Sequence, residues 1–483
     1  MVRLAILLFT LLSALDTTIF STLLPHAIAS FGQMELYPIL TSSYFVSFLL
    51  ATPIVGKTVD HFGTKMVGLI SLLLFLLGTS FATLSPSMEF FILARFFEGL
   101  GAAGLVNVSN IAIAKLYHSD SHRSFMQAML SLMWALASLT GPFLASYLAT
   151  VGLWRLAFAI NIPLALIALG GWWKMTEIHQ KPFVRFDHLS VWLFSATVLV
   201  FFLNSLKVAQ NGFYWTNALV IAIALLALIV LIVRSLKVES PLLPLRHLKS
   251  PVTILIIVAG LVTGIAMTMT HSQLALLGKG ALSFSQTQIG LLITIVSLGW
   301  TGGSFLASFL VHRLELNKVF HLGLLLLTVG FALLSSITAV PTFFFIIFSV
   351  AIQGIALGLL INVTIVSIQR TGQGPFLGRL TAFLSLTRSF GASLGAASAG
   401  FLQLYFFHSS LEKMAPFGEK ALFLAHPEKM LEKPVLEKLS PDISEGLRSL
   451  FGHSIEQLFV LAAIVLAILF FISLKISVKK TIK

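Results

Sequence analysis

Several side chains able to hold an ion or move a proton sit inside long apolar stretches of this sequence. Asp16 lies about midway through the first stretch, Arg95 and Glu98 lie together in another, and His271 and Arg388 lie in later ones. A charged residue at the centre of a membrane helix costs about 2.5–3.5 kcal/mol on insertion scales, and such residues mark ion or proton paths. Burial favours a neutral carboxyl, whereas a nearby guanidinium favours the charged one. A carboxyl that moves between the two environments therefore loads and releases a proton. That is the chemistry open to Asp16; the alternative is a structural acid held by Arg95 or by hydroxyls. Arg95 and Glu98 are spaced i, i+3 and share a helix face, so they either neutralise each other or take part in coupling. A lone membrane histidine such as His271 is commonly a hydrogen-bonded packing group. Arg388 either meets an anionic group or lies near a helix end and snorkels. With His271 and Arg388, Asn107 and Asn362 complete the set of possible cavity residues.

Other chemistries are excluded or unsupported. The chain has no cysteine, which removes disulfides, thiolate metal sites and cysteine nucleophiles. There is no phosphate-binding Walker loop, no zinc-ligand pair and no G-x-S-x-G elbow, so the sequence supports no enzyme, no metal site and no cofactor. Asn107-Val108-Ser109 and Asn362-Val363-Thr364 match the glycosylation pattern but fall inside apolar stretches, where they stay unmodified.

These residues need helices to carry them. The 483 residues are 57% hydrophobic and 10% charged, against about 25% charged in soluble domains. The apolar residues fall in blocks of roughly twenty, the length that crosses a hydrocarbon core of about 30 Å. Backbone polar groups in lipid must be satisfied internally, so the blocks are helices. The pattern predicts an all-α polytopic membrane protein of about fourteen spans: 4–31, 38–56, 66–84, 89–116, 124–150, 154–174, 189–208, 214–235, 252–277, 287–311, 319–339, 342–368, 376–406 and 456–475. The first block is long, follows one basic residue and contains Asp16; it reads as a retained helix and not a signal peptide.

The net charge of +13 sits at helix ends, which points to topology and not to nucleic acid. Lys57, Lys65, Lys115, Arg123, Lys181, Arg185, Arg234, Lys249, Arg313, Arg370, Arg379 and the tail lysines Lys479, Lys480 and Lys483 share one side, so both termini are expected in the cytoplasm. The opposite side carries one long joint, about 407–455, broken by Pro416, Pro427, Pro434 and Pro441. The chain also repeats itself at an offset of about 250 residues. Glu98-Gly99-Leu100-Gly101 with Asn107 returns as Gln353-Gly354-Ile355-Ala356 with Asn362. The expected domains are a six-helix bundle at 1–175, an inserted helix pair with linkers at 176–250, and a second six-helix bundle at 251–483. Repeated halves around a mid-membrane site are a common plan of secondary transporters.

Local motifs carry a resemblance. Gly56, Asp60, Gly63 and Lys65, in the joint after the second span, match the cytoplasmic loop signature of the major facilitator superfamily; Thr58, His61 and Thr64 depart from it. Asp16 and the run through Pro25, then Arg95 to Gly101, then Gly141-Pro142, resemble motifs of its fourteen-span drug:proton antiporter branch. Ser21 and Glu98 stand where that branch has Asn and Gln. The resemblance implies a major facilitator fold of two six-helix repeats plus two inserted helices. It implies proton coupling through Asp16, Arg95 and Glu98, a conformational loop at Gly56, Asp60, Gly63 and Lys65, and an antiporter motif at Gly141 and Pro142. The function it implies is proton-coupled efflux of amphipathic or lipophilic small molecules across the inner or plasma membrane. The alternatives are a carrier for one metabolite, siderophore or lipid, and a flippase or enzyme of another fold. The implied partners are the lipid bilayer, the substrate and protons. Some members of the branch also work with a periplasmic adaptor and outer-membrane channel, which the sequence leaves open.

Overall fold

The computed structural model describes residues 1–31, 36–176, 187–211, 215–238, 241–248, 250–338, 342–371, 377–414, 420–425, 430 and 439–476. Lys181, Arg185, Lys249, Lys479, Lys480 and Lys483 of the basic set, and Pro416, Pro427 and Pro434, lie outside them. Each expected span falls on a helix. We number them α1 (Val2–Phe31), α2 (Tyr37–Phe62), α3 (Thr64–Leu84), α4 (Met88–Leu116), α5 (Asp120–Thr150), α6 (Leu156–Trp173, interrupted at Ile160), α7 (His188–Asn211), α8 (Trp215–Lys237), α9 (Pro251–Leu276), α10 (Gln286–Val311), α11 (Leu316–Leu334), α12 (Phe343–Thr371), α13 (Leu377–Lys413) and α14 (Pro441–Lys475). No strand occurs among the described residues. Among the described residues, twelve helices are long and apolar enough to cross a membrane.

Local chemistry sets the boundaries. Ser87 accepts a hydrogen bond from the Phe90 amide and starts α4, and Ser285 and Gln288 form a capping box at α10. Gly63 separates α2 from α3 at φ 89°, a backbone region that a side chain strains. The long joint expected at about 407–455 is shorter than the sequence suggests: α13 continues to Lys413 and α14 starts at Pro441, and the described residues between them include the short helix Lys420–Ala425. Pro441, expected to break the chain, occupies the first turn of α14, where its missing N–H costs nothing. Leu447, Phe451 and Ile455 then bury a helical stripe that runs straight into the apolar span.

The chain divides into two compact units, residues 1–254 with 365–386, and 255–364 with 387–483. In the first, α4 packs against α2 and α3, and α1 against α5, α6 and α4. Phe9, Leu12, Phe75, Val108, Ile111 and Trp172 form one apolar centre; Phe91, Trp154 and Phe158 form another. The apolar stretch of α4 is 67% buried, whereas that of α8 is 17% buried, so α4 is an interior helix and α8 presents its apolar surface outward. In the second unit α14 packs on α11. Glu456 accepts from the Thr338 amide and hydroxyl, both at 2.6 Å, and His321 Nε2 lies 3.1 Å from the Ser473 carbonyl. Asn362 Nδ2 donates to the Ser304 carbonyl at 3.1 Å and ties α12 to α10.

Candidate functional site

The interior position of α4 puts Arg95 and Glu98, one turn apart, beside Asp16 of α1. Arg95 Nη1 donates to Asp16 Oδ2 at 2.8 Å and to Glu98 Oε2 at 2.6 Å, and all three side chains are at most 1% exposed. One nitrogen thus spends both its hydrogens on two different acids. The guanidinium also lies 4.1 Å from the Phe20 ring centre and 4.5 Å from that of Tyr44. Rings at this distance attract a cation through their quadrupole. Tyr44 is held in turn by Ser13 at 3.4 Å and Thr17 at 3.3 Å. Asp16 Oδ1, Glu98 Oε1 and Arg95 Nε are buried and have no hydrogen-bond partner among the described residues. The cluster therefore holds two acids, one base, and a bare oxygen on each acid where a proton can sit.

Close helix contacts fix this cluster. A Cβ on Gly99 would collide with the Tyr44 carbonyl and Ser47 Oγ, so only glycine lets α4 approach α2 here. Gly141 plays the same part between α5 and α1: a Cβ there would strike Thr18 Oγ1. Thr18 donates to the Ala137 carbonyl at 3.1 Å, two residues past Asp16. Gly141 and Pro142 thus lie where α5 meets the proton-capable part of α1, and Pro142 sits inside an unbroken helix.

The second assembly lies at the end of α2. Asp60 Oδ1 accepts from the Gly378 amide at 2.9 Å; Oδ2 accepts from the Arg379 amide and Nε, both at 3.1 Å. An acid thus occupies the first turn of α13, where free amides and the helix dipole favour an anion. Gly56 faces the Gly378 carbonyl, the Arg379 Cα and Ala382, which brings the two backbones together. Arg379 Nη1 also reaches the Pro241 carbonyl at 3.4 Å, in the segment after α8. Lys65 lies 5.9 Å from the Trp173 ring centre, and its carbonyl accepts from Trp172 Nε1 at 3.0 Å.

The remaining residues stand apart from these assemblies. His271 Nδ1 is 2.7 Å from the Met267 carbonyl of its own helix. Asn107 Nδ2 donates to the Ala103 carbonyl at 2.8 Å, within α4, and Asn362 serves the α10–α12 contact. Arg388 lies in α13 with Nε and Nη2 buried and lacking hydrogen-bond partners among the described residues. Phe20, Tyr44, Gly378 and Arg379 are contacts that the motifs did not single out. Phe20 is four residues from Asp16 and so shares its face, a signal that was available. Tyr44 and Gly378 meet their partners across distant sequence, and no local pattern marks them.

An apolar chain whose described residues form helices and no strand, with buried ionisable groups and small-residue helix crossings, fits a polytopic membrane transporter. The model of the Major Facilitator Superfamily matches residues 6–280, and the chain belongs to this family of transporters; it is not an enzyme. It is 26% identical over 404 residues to the multidrug efflux pump SdrM of Staphylococcus aureus (strain N315), covering 82% of this chain and 88% of that one. It is 22% identical over 475 residues to multidrug resistance protein 3 of Bacillus subtilis (strain 168), covering 96% and 92%. Among solved structures it resembles a bacterial homologue of the iron transporter ferroportin in its outward-facing state. There the TM-score is 0.63 at 13% identity, over 98% and 100% of the two chains; at that identity the likeness concerns the fold.

Proposed function

We propose that this transporter exports amphipathic or lipophilic small molecules in exchange for protons, from the cell's inner or plasma membrane, with both termini in the cytoplasm. The observation that carries the reading is the single Arg95 shared by two buried acids, Asp16 and Glu98, each with a bare oxygen. One guanidinium neutralises one carboxylate. A proton on the other completes neutrality in a region where net charge is expensive. Taking up and giving up that proton changes the charge against which α1, α4 and α5 pack, which gives a proton gradient purchase on helix position. The names of the two relatives, a multidrug efflux pump and a multidrug resistance protein, support drug-like cargo. Asp60 at the start of α13 supports a conformational latch at the cytoplasmic side.

The test is transport in proteoliposomes under an imposed pH gradient, with proton movement recorded beside substrate flux across dyes, siderophores, lipids and metabolites. Antiport predicts that several unrelated amphiphiles each move protons in the opposite direction. Flux of a single compound would favour the specific-carrier alternative. Flux without any proton movement would end the antiport reading.

A further inference from the structure

Arg388 is the thirteenth helix's isolated cation. It lies eleven residues past Leu377, which places it about 16 Å along the helix from that end at 1.5 Å per residue. That depth is beyond the reach of an arginine side chain to the helix end, so snorkelling does not account for it. Nε and Nη2 are buried, no hydrogen bond reaches them from the described residues, and no carboxylate among those residues lies within ion-pair distance. The contrast with the other buried arginines is chemical: Arg95 has Asp16 and Glu98, and Arg379 has Asp60.

The backbone that carries Arg388 is firmly set. Gly264 of α9 leaves no room for a Cβ against the Arg388 carbonyl, and Gly391 leaves none against the Leu261 carbonyl. Thr268 Oγ1 donates to the Ala392 carbonyl at 2.8 Å across the same seam. Arg388, Gly391, Ala392 and Gly395 are spaced i, i+3, i+4 and i+7, so the guanidinium springs from the edge of a close-packed stripe, and its base has little freedom to move. A forked, permanently charged donor on a rigid support, with donors unspent, is the arrangement that binds a carboxylate, sulfonate or phosphate in two-pronged fashion.

We propose that Arg388 receives the anionic group of a transported amphiphile, so that the cargo includes molecules with an apolar body and one carboxylate, sulfonate or phosphate. This rests on the transport reading above and narrows its substrate class. The anion neutralises a charge that no carboxylate among the described residues pairs. A phospholipid headgroup offers the same chemistry, and the experiment separates the two sources.

The full chain is reconstituted in phosphatidylcholine vesicles, with and without phosphatidylglycerol, and given a dansyl-labelled ten-carbon carboxylate or its uncharged primary amide. Wild type is expected to bind and move the carboxylate roughly tenfold better than the amide, the scale of one charge-assisted hydrogen-bonded contact. Arg388→Gln should bring that ratio to about one, and Arg388→Lys should keep part of it. The ratio is internal to each sample, so it is insensitive to yield. A wild-type ratio near one overturns the proposal even if a variant fails to fold. So does a ratio unchanged in Arg388→Gln. A phosphatidylglycerol dependence that vanishes in Arg388→Gln, with no carboxylate preference, also overturns it and assigns the site to lipid. Proton coupling is read separately with the cation ethidium: its absence in wild type defeats the antiport reading and leaves the carboxylate-to-amide ratio to stand or fall by itself.

Discussion

Asp16 and Glu98 both bond to one nitrogen of Arg95, yet they differ in how that bond can change. Glu98 is one turn from Arg95 on α4, so helix geometry holds the two together in any conformation. Asp16 is on α1, and its contact with Arg95 depends on how the helices lie. The separable acid is the better proton carrier. Asp16→Asn is therefore expected to insert and fold but to lose pH-driven transport by more than about tenfold, whereas Glu98→Gln slows transport and keeps proton release. Paired flux and proton measurements in proteoliposomes check this; coupled transport at the wild-type ratio in Asp16→Asn would move the proton site to Glu98. Removing the base is a different experiment. Arg95→Ala leaves two buried acids without a counter-charge, a loss on the scale of about 3–5 kcal/mol for a broken buried pair. The expected result is poor yield and a lowered melting temperature in detergent, rescued in part by the added substitution Asp16→Asn.

At the scale of helices, three contacts decide how the elements hold together. Gly141→Val drives a side chain into Thr18 and separates α5 from α1; overpacking of this kind costs about 1–3 kcal/mol. A lower melting temperature together with lost pH-driven transport is expected, and unchanged values of both would remove the α1–α5 contact from the mechanism. Asp60→Asn keeps an acceptor but loses the charge at the α13 N-terminus and opposite Arg379. It should reach the membrane in normal amount while transport falls severalfold, since 1–2 kcal/mol is enough to redistribute two conformations. Asp187 supplies a pH test outside the spans. It accepts from the Ser190 amide at 3.2 Å and from Arg234 at 2.8 and 3.1 Å, joining the start of α7 to the end of α8. Burial pushes its carboxyl up, but hydrogen bonds from Arg234 and Ser190 outweigh this and hold it below the ordinary 3.8. The folded state then favours the ionised form. Its contribution is complete above the ordinary value and is lost as pH falls below about 4 towards the folded value. Melting curves between roughly pH 5 and 3 should show this loss in wild type and a flatter profile in Asp187→Asn.

For the molecule as a whole, the absence of cysteine makes topology directly measurable, because single cysteines can be introduced without first removing native ones. His61→Cys should react only with reagent admitted to the cytoplasmic side, and a cysteine in the Lys420–Ala425 helix only with reagent outside. Labelling of His61→Cys from outside would reverse the orientation inferred from lysine and arginine. Cysteines at the two ends of α2 and of α7 test whether each crosses, and with them whether the chain has all fourteen crossings. The strongly outward-facing surface of α8 fits a helix at the lipid boundary of its own unit.

The sequence by itself determined the class of this protein, because apolar runs of membrane length must be helices and their order follows from where the polar joints fall. Asp16 and Arg95 are legible because charge inside an apolar run is costly enough to demand a partner, whereas Asp60 is marked by the resemblance of its joint to the cytoplasmic loop signature. The start of α14 is not legible in the sequence, since the amphipathic turns of 441–455 carry too many polar residues to read as part of a span. Pairing was decided by tertiary structure. Only the folded chain brings Asp16 and Glu98 to one nitrogen of Arg95, lays Phe20 and Tyr44 against its guanidinium, and sets Asp60 on the amides of Gly378 and Arg379. These contacts join residues up to 319 positions apart, and their geometry depends on helix approach at glycines such as Gly99 and Gly141, where a single Cβ would keep the helices apart.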